Sequence, residues 1–241
     1  MTALTSRNGT LEFGPGLSTL LINDQLRVMD QSPEVLAELQ EGRLDKLIDL
    51  ARFGQQVGTD MVDILINHPD LDETDLLPRI ALAVHEEIGC PISLDSRDPQ
   101  ALDAALSALQ PYKALINSVT AETDSLETLL SIAAKHGAAV VGMPIGHLHG
   151  MPKTVEGRLA EAHVIIESAK AYGIPRENLV IDAICLASAA EPGSMQVTLE
   201  TLSALHRELE VTTILGIGNA GFGMPDQTRV DQAYLIAAVP W

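Results

Sequence analysis

Short apolar runs rich in β-branched residues alternate with longer amphipathic stretches along this chain from about residue 18 onward. This alternation is typical of repeated βα units, which build a parallel sheet covered by helices. The runs are nearly continuous in apolar residues, as expected for strands that are buried on both faces. The sequence therefore predicts seven strands, at residues 19–23, 61–67, 91–95, 113–119, 138–144, 179–186 and 212–218.

Seven βα repeats in 241 residues favour a closed barrel over an open sheet, because no Gly-x-Gly-x-x-Gly follows the first predicted strand. We predict an α/β fold in one domain, residues 1–241: a (β/α)8 TIM barrel that lacks the final βα unit. The last predicted helix covers about residues 229–238, and the chain continues only to Trp241. Three explanations stay open: truncation, a second copy that fills the gap, or a naturally incomplete barrel.

The charge and composition of the chain limit the classes of partner and site that we expect. The net charge is -18, and no run of Lys or Arg offsets it, so we expect no nucleic acid partner. No apolar stretch reaches the 18 residues that cross a bilayer, and we expect a cytoplasmic protein with no membrane contact. Cys90 and Cys185 lie far apart without a Cys-x-x-Cys, so neither a disulfide framework nor a thiolate zinc site is predicted.

A glycine-rich segment at residues 214–226 follows the last predicted strand and places Asn219 among four glycines and a proline. Glycines let a backbone approach a ligand closely, and Asn219 can both donate and accept hydrogen bonds. A simple strand-to-helix turn with an Asn cap explains the segment equally well.

Polar residues stand inside or at the end of several apolar strands. In a barrel these ends meet at one rim, where enzymes of this fold place their chemistry. Helix or turn capping explains some of them, namely Asp24, Ser96, Asp98 and Ser118. A common polar ligand explains five others better, because carboxylates and amides are costly to bury without partners; these are Asp63, Asp95, Asn117, Asp182 and Asn219. Asn23 stands at the end of the first predicted strand. A flat heterocycle with amide-like edges, such as a pterin, suits the set of five.

Three motifs carry a family resemblance. They are Ser-Leu-Asp-Ser at 93–96, Ile-Asn-Ser-Val at 116–119 followed by Glu122, and Gly-Ile-Gly-Asn at 216–219 followed by Phe-Gly-Met-Pro at 222–225. In order and spacing the chain resembles the methyltetrahydrofolate:corrinoid protein methyltransferases of the pterin-binding superfamily, which also holds dihydropteroate synthase. It differs from the usual family pattern at Ala183, Gly218 and Gln227.

The resemblance implies a methyltransferase that moves a methyl group between N5 of methyltetrahydrofolate and the cobalt of a corrinoid on a separate protein. It implies a folate site formed by Asn23, Asp63, Asp95, Asn117, Asp182, Gly216 and Asn219. Asn219 would be the catalytic residue beside N5, no metal would be bound by this chain, and the protein would be a homodimer.

Three rival functions remain. A non-catalytic folate- or pterin-binding subunit would bind without turnover. A dihydropteroate synthase-like enzyme would need basic residues for a departing pyrophosphate, and the Lys-x-Ser and Arg-x-His expected for it are not found. A metal-dependent hydrolase is suggested by His147 and His149, although exposed loop histidines explain that pair more simply.

Overall fold

A seven-stranded parallel sheet is the largest assembly in the computed structural model, which describes residues 1–240. The strands of this sheet are Ile22–Arg27 (β3), Met61–Leu65 (β4), Ile92–Asp95 (β5), Leu115–Thr120 (β6), Ala139–Met143 (β7), Leu179–Asp182 (β8) and Thr212–Ile214 (β9). Before them, Thr2–Ser6 (β1) and Gly9–Phe13 (β2) form an antiparallel hairpin.

Helices alternate with the strands of the parallel sheet. They are Pro33–Gln40 (α1), Asp45–Gln56 (α2), Glu73–Ile88 (α3), Pro99–Ala108 (α4), Thr123–His136 (α5), Val155–Ala171 (α6), Ser194–Ala204 (α7) and Gln227–Ala238 (α8). As predicted, Asp98 caps α4, where its side chain accepts hydrogen bonds from the backbone N–H groups of Gln100 and Ala101. No helix within residues 1–240 has both the length and the apolar character needed to span a membrane.

The strand order confirms the predicted barrel fold. Strands β3 to β9 pair in chain order, each parallel to the next, and the sheet curls into an incomplete barrel. Within residues 1–240, β3 and β9 are the two unpaired edges of this sheet, where an eighth unit would close a full barrel.

Alternate residues of each strand face two different cores. Outward residues such as Ile64, Leu94 and Ile116 pack against the helices in the main apolar cluster. Inward residues form a second cluster, here called the apolar plug, which fills the half of the barrel nearest the strand starts (the lower half). Leu4 of the hairpin packs into this plug. Its buried members are Leu4, Met61, Leu115, Ala139, Val141 and Val180. The hairpin therefore closes the end of the barrel at which the strands begin.

The structure corrects several predicted boundaries. The hairpin was not predicted, although Asn8-Gly9 between two alternating runs is a strong hairpin signal. The first barrel strand begins at Ile22 instead of residue 19. The sixth predicted strand ends at Asp182 and the seventh at Ile214, because a turn with a left-handed residue, Ile184, follows one and a 3-10 turn at Ile217–Asn219 follows the other.

Candidate active site

The strand periodicity gathers polar side chains in the upper half of the barrel interior. Asp63 lies two residues after inward-facing Met61, and Asn117 lies two residues after inward-facing Leu115. The register places Asp63 beside Ser93 and, one level higher, Asp95 beside Asn117. Four polar residues from three neighbouring strands therefore form two stacked layers above the apolar plug.

Asp63 is the centre of the lower layer. Its Oδ1 accepts a hydrogen bond from Ser93 Oγ at 2.5 Å and another from Asn117 Nδ2 at 3.2 Å. Burial raises the pKa of Asp63, and the two hydrogen bonds partly offset this because they favour the carboxylate. Ser93 was noted only as part of a motif, although its position two residues before Asp95 places it on the same inward face.

Asp95 occupies the upper layer and is partly buried. Burial and, to a smaller extent, the Asp63 carboxylate raise the pKa of Asp95 to about 7, against the opposing effect of Arg27 and Arg97. The group can therefore change its charge near neutral pH, as acids and bases at functional sites often do.

Asp182 ends β8 beside a strained turn. Its Oδ1 accepts a hydrogen bond from the Ile184 backbone N–H at 2.7 Å, and Ile184 has a φ of 60°. A left-handed conformation is costly for a β-branched residue, so the surroundings must hold it. The pKa of Asp182 is raised to about 6, because burial outweighs the opposing effects of the Ile184 N–H and the Arg158 charge.

Arg158 of α6 stabilises that turn through hydrogen bonds to its backbone. Its side chain is buried, and the guanidinium donates to the carbonyl oxygens of Ala183 at 2.8 Å and Ile184 at 3.0 Å, and to Thr198 Oγ1 at 3.2 Å. Burial lowers the pKa of Arg158. Arg158 was not among the predicted site residues, since its carbonyl partners lie on another part of the chain.

The loop after β9 carries Gly216 and Asn219 at the rim, and both residues are exposed. The Asn219 amide folds over Gly216, where an added Cβ would lie 3.0 Å from Asn219 Nδ2. Gly221 anchors the loop, because its N–H donates to Asp231 Oδ1 at 2.7 Å. The loop therefore holds the Asn219 amide in an accessible position, and the Gly221–Asp231 hydrogen bond fixes its backbone.

Asn23 lies apart from the other predicted site residues. Its side chain is 5% exposed and packs outward on α2, where Nδ2 donates to the Leu50 carbonyl at 3.4 Å and abuts Gly54. Because Ile22 packs in the inward cluster, the next residue, Asn23, faces the helices. The structure therefore gives Asn23 a packing role away from the interior cluster.

The histidine pair belongs to a loop held by a buried carboxylate. Glu161 of α6 is fully buried and accepts backbone N–H hydrogen bonds from His147 at 3.1 Å, Leu148 at 2.6 Å and His149 at 2.7 Å. The described part of the chain, residues 1–240, shows no group of three or more His, Cys, Asp or Glu side chains suited to a metal ion. Glu161 was not predicted, because an acidic residue within a helix gives no signal for this role.

Comparison with known proteins adds a family and two relatives. The family model described as pterin binding enzyme matches residues 34–236. The chain is 24% identical to methylcorrinoid:tetrahydrofolate methyltransferase of Eubacterium limosum over 208 residues, which are 84% of this chain and 75% of that protein. It is 27% identical to methionine synthase of Mycobacterium tuberculosis over 238 residues, which are 94% of this chain but only 20% of that protein.

Solved structures share the fold. A dihydropteroate synthase of Xanthomonas albilineans aligns with a TM-score of 0.68 at 19% identity, covering 98% of this chain and 89% of that one. A dihydropteroate synthase of Thermus thermophilus aligns with a TM-score of 0.67 at 23% identity, covering 99% and 90%. At these identities the likeness concerns the barrel alone.

Proposed function

The chain belongs to the pterin-binding enzyme family, and from that premise we propose that it is a methyltransferase. It moves a methyl group between N5 of methyltetrahydrofolate and the cobalt of a corrinoid carried by a separate protein. The observation that carries the proposal is that Asp95, Asn117 and Asp182 lie toward the carboxyl ends of parallel strands, the end of the barrel at which the loop after β9 carries the exposed Asn219. The similarity to a methylcorrinoid:tetrahydrofolate methyltransferase supports the choice of reaction.

The interior cluster suits the pterin ring chemically. A pterin offers an exocyclic amino group and ring N–H groups, and carboxylate oxygens accept hydrogen bonds from both. In the proposal Asp95, Asn117 and Asp182 hold the ring, Gly216 lets it approach the backbone, and Asp63 belongs to the same site. Asn23 was predicted here too, but its contact with α2 gives the proposal no support.

Asn219 is the proposed catalytic residue. Negative charge grows on N5 as the methyl group departs, and an amide N–H directed at N5 gives a hydrogen bond that strengthens with that charge. Such a bond lowers the barrier by about 2–4 kcal/mol if it acts like an oxyanion-hole donor. The exposure of Asn219 at the rim also leaves the reacting atom accessible from outside the barrel.

The proposed partner is a corrinoid protein that docks over the rim. When bound there, the corrinoid cobalt supplies the nucleophile that takes the methyl group. This chain contributes the folate site and the amide, and needs no metal of its own. A homodimer and a cytoplasmic location remain predictions from the resemblance and the sequence.

A dihydropteroate synthase-like reaction is the rival within the same fold. Departing pyrophosphate calls for positive charge at the rim. The loop after β9, residues 215–226, contains neither Lys nor Arg, which favours methyl transfer. The rival predicts condensation of a pterin pyrophosphate with 4-aminobenzoate, and the proposal predicts none.

Single-turnover transfer from methyltetrahydrofolate to free cob(I)alamin, followed by cobalt absorbance, tests the function. We expect transfer well above the rate without protein. Tight folate binding with no transfer, either to cob(I)alamin or to corrinoid proteins, would instead identify a non-catalytic folate-binding subunit.

A further inference from the structure

One carboxylate oxygen in the lower layer has two donors. Asp63 Oδ1 receives both the Ser93 hydroxyl and the Asn117 amide nitrogen. Asp63 is 7% exposed, whereas Asp95 and Asn117 above it are partly exposed. Asp63 is therefore occupied by protein donors and lies deeper than the side chains that face the proposed ring site.

This contact fixes which end of the Asn117 amide remains free. An ionised carboxylate only accepts hydrogen bonds, so Asn117 must turn its NH2 group toward Asp63. Burial raises the pKa of Asp63, but Oδ1 already accepts from the Ser93 hydroxyl, so a proton would sit on Oδ2 and Oδ1 demands the Asn117 NH2 group in either charge state. The Asn117 carbonyl oxygen is then the end left for a ligand.

We propose that Asp63 is a positioning residue that orients the Asn117 amide, so that Asn117 offers the pterin ring an oxygen that accepts from its N–H donors. The inference rests on the proposed function, because it takes Asn117 to be a pterin contact. It also changes the role predicted for Asp63, from a direct ligand contact to a group that acts through Asn117.

Asp63→Asn is the first test, with the affinity for methyltetrahydrofolate measured by calorimetry and the melting temperature measured in parallel. An amide at position 63 can donate or accept, so the Asn117 amide can flip and present NH2 groups to donors on the ring. We expect affinity to fall about tenfold, the equivalent of one hydrogen bond. The exposed loop variant Asp70→Asn serves as the matched control and should bind like the parent.

The double variant Asp63→Asn with Asn117→Asp separates orientation from packing. The new carboxylate at position 117 has only oxygen atoms, so it accepts from the new amide at position 63 with one oxygen and faces the ligand with the other. We expect affinity to return to within about threefold of the parent, at most about half of the free energy lost in Asp63→Asn. If Asp63→Asn fails to fold, the double variant still tests the proposal, because a side chain with only oxygen atoms at position 117 must then still bind folate.

Two results would overturn the inference while the proposed function stands. One is parent-like affinity in Asp63→Asn. The other is a folded double variant that binds no better than Asp63→Asn, or that has lost binding, which would mean that the ring needs an NH2 group from Asn117. If the parent chain itself binds no methyltetrahydrofolate, the proposed function fails first and the inference falls with it.

Discussion

Asp95 shows at the scale of one residue how a binding group can reduce stability. Its pKa rises from 3.8 to about 7 in the folded chain, with burial as the main cause. The folded state therefore binds the proton more tightly than the unfolded state. The contribution of Asp95 to stability is most favourable below about pH 4 and is lost as pH rises through 7.

Asp95→Asn should stabilise the protein at pH 8, because the amide has no charge to bury. We expect a gain of about 1–3 kcal/mol in the free energy of unfolding at pH 8, with the gain over the parent shrinking toward pH 4. Urea unfolding across this pH range measures it, with exposed Asp70→Asn as the control. A variant that is less stable than the parent at pH 8 would mean that the Asp95 carboxylate has stabilising partners.

The sequence predicted Asp95, Asn117 and Asp182 because each stands at the end of an apolar strand, where the period-2 pattern directs side chains inward. Asn23 was predicted at the end of a strand, but the observed strand begins at Ile22, so Asn23 lies near its start and faces α2. Arg158 and Glu161 could not be predicted, since the backbone groups that they bind lie on other elements or loops.

The loop between β9 and α8 is the element on which the proposed catalytic amide depends. A Cβ on Gly221 would lie 2.7 Å from the Gln227 carbonyl oxygen and 2.9 Å from Asp231 Oδ1, and the carbonyl belongs to the backbone. A Cβ on Gly218 would meet nothing within 4 Å. The two glycines therefore differ in how much the fold depends on them.

Gly221→Ala should cost about 1–3 kcal/mol of stability through overpacking, whereas Gly218→Ala should change it by less than about 0.5 kcal/mol. Chemical denaturation of both variants provides the comparison. Equal stabilities would show that the loop relaxes freely and does not hold Asn219 in place.

Element types followed from the sequence better than element ends did. The seven barrel strands carried enough β-branched apolar residues to be found, and Asp98-Pro99 marked the start of α4. The end of β8 depends on the left-handed Ile184, which Arg158 and Thr198 hold through its carbonyl oxygen. Contacts of this kind join residues far apart in the chain, and local patterns do not encode them.

In the molecule as a whole, one end of the barrel contributes to stability and the other carries the proposed binding site. The hairpin seals the end where the strands begin, through Leu4 and through hydrogen bonds between Thr5 and Lys113. The proposed site lies at the opposite end. Stability and binding should therefore respond to different substitutions.

Leu4→Ala should destabilise the protein by about 2–4 kcal/mol, the cost of a cavity in a packed core. Folate affinity measured well below the melting temperature should not change. Leu17→Ala, at a position that is 45% exposed, is the matched control and should have little effect on either quantity. A parallel loss of affinity in Leu4→Ala would show that the plug also shapes the site.

The most direct test of the proposed reaction is the rate of single-turnover methyl transfer to cob(I)alamin as a function of methyltetrahydrofolate concentration, for the parent and for Asn219→Ala. The proposal predicts that the limiting rate falls about 100-fold in Asn219→Ala, as for loss of one oxyanion-hole donor, while the half-saturating folate concentration changes little. An unchanged limiting rate, or a parent chain that transfers no methyl group, would contradict it.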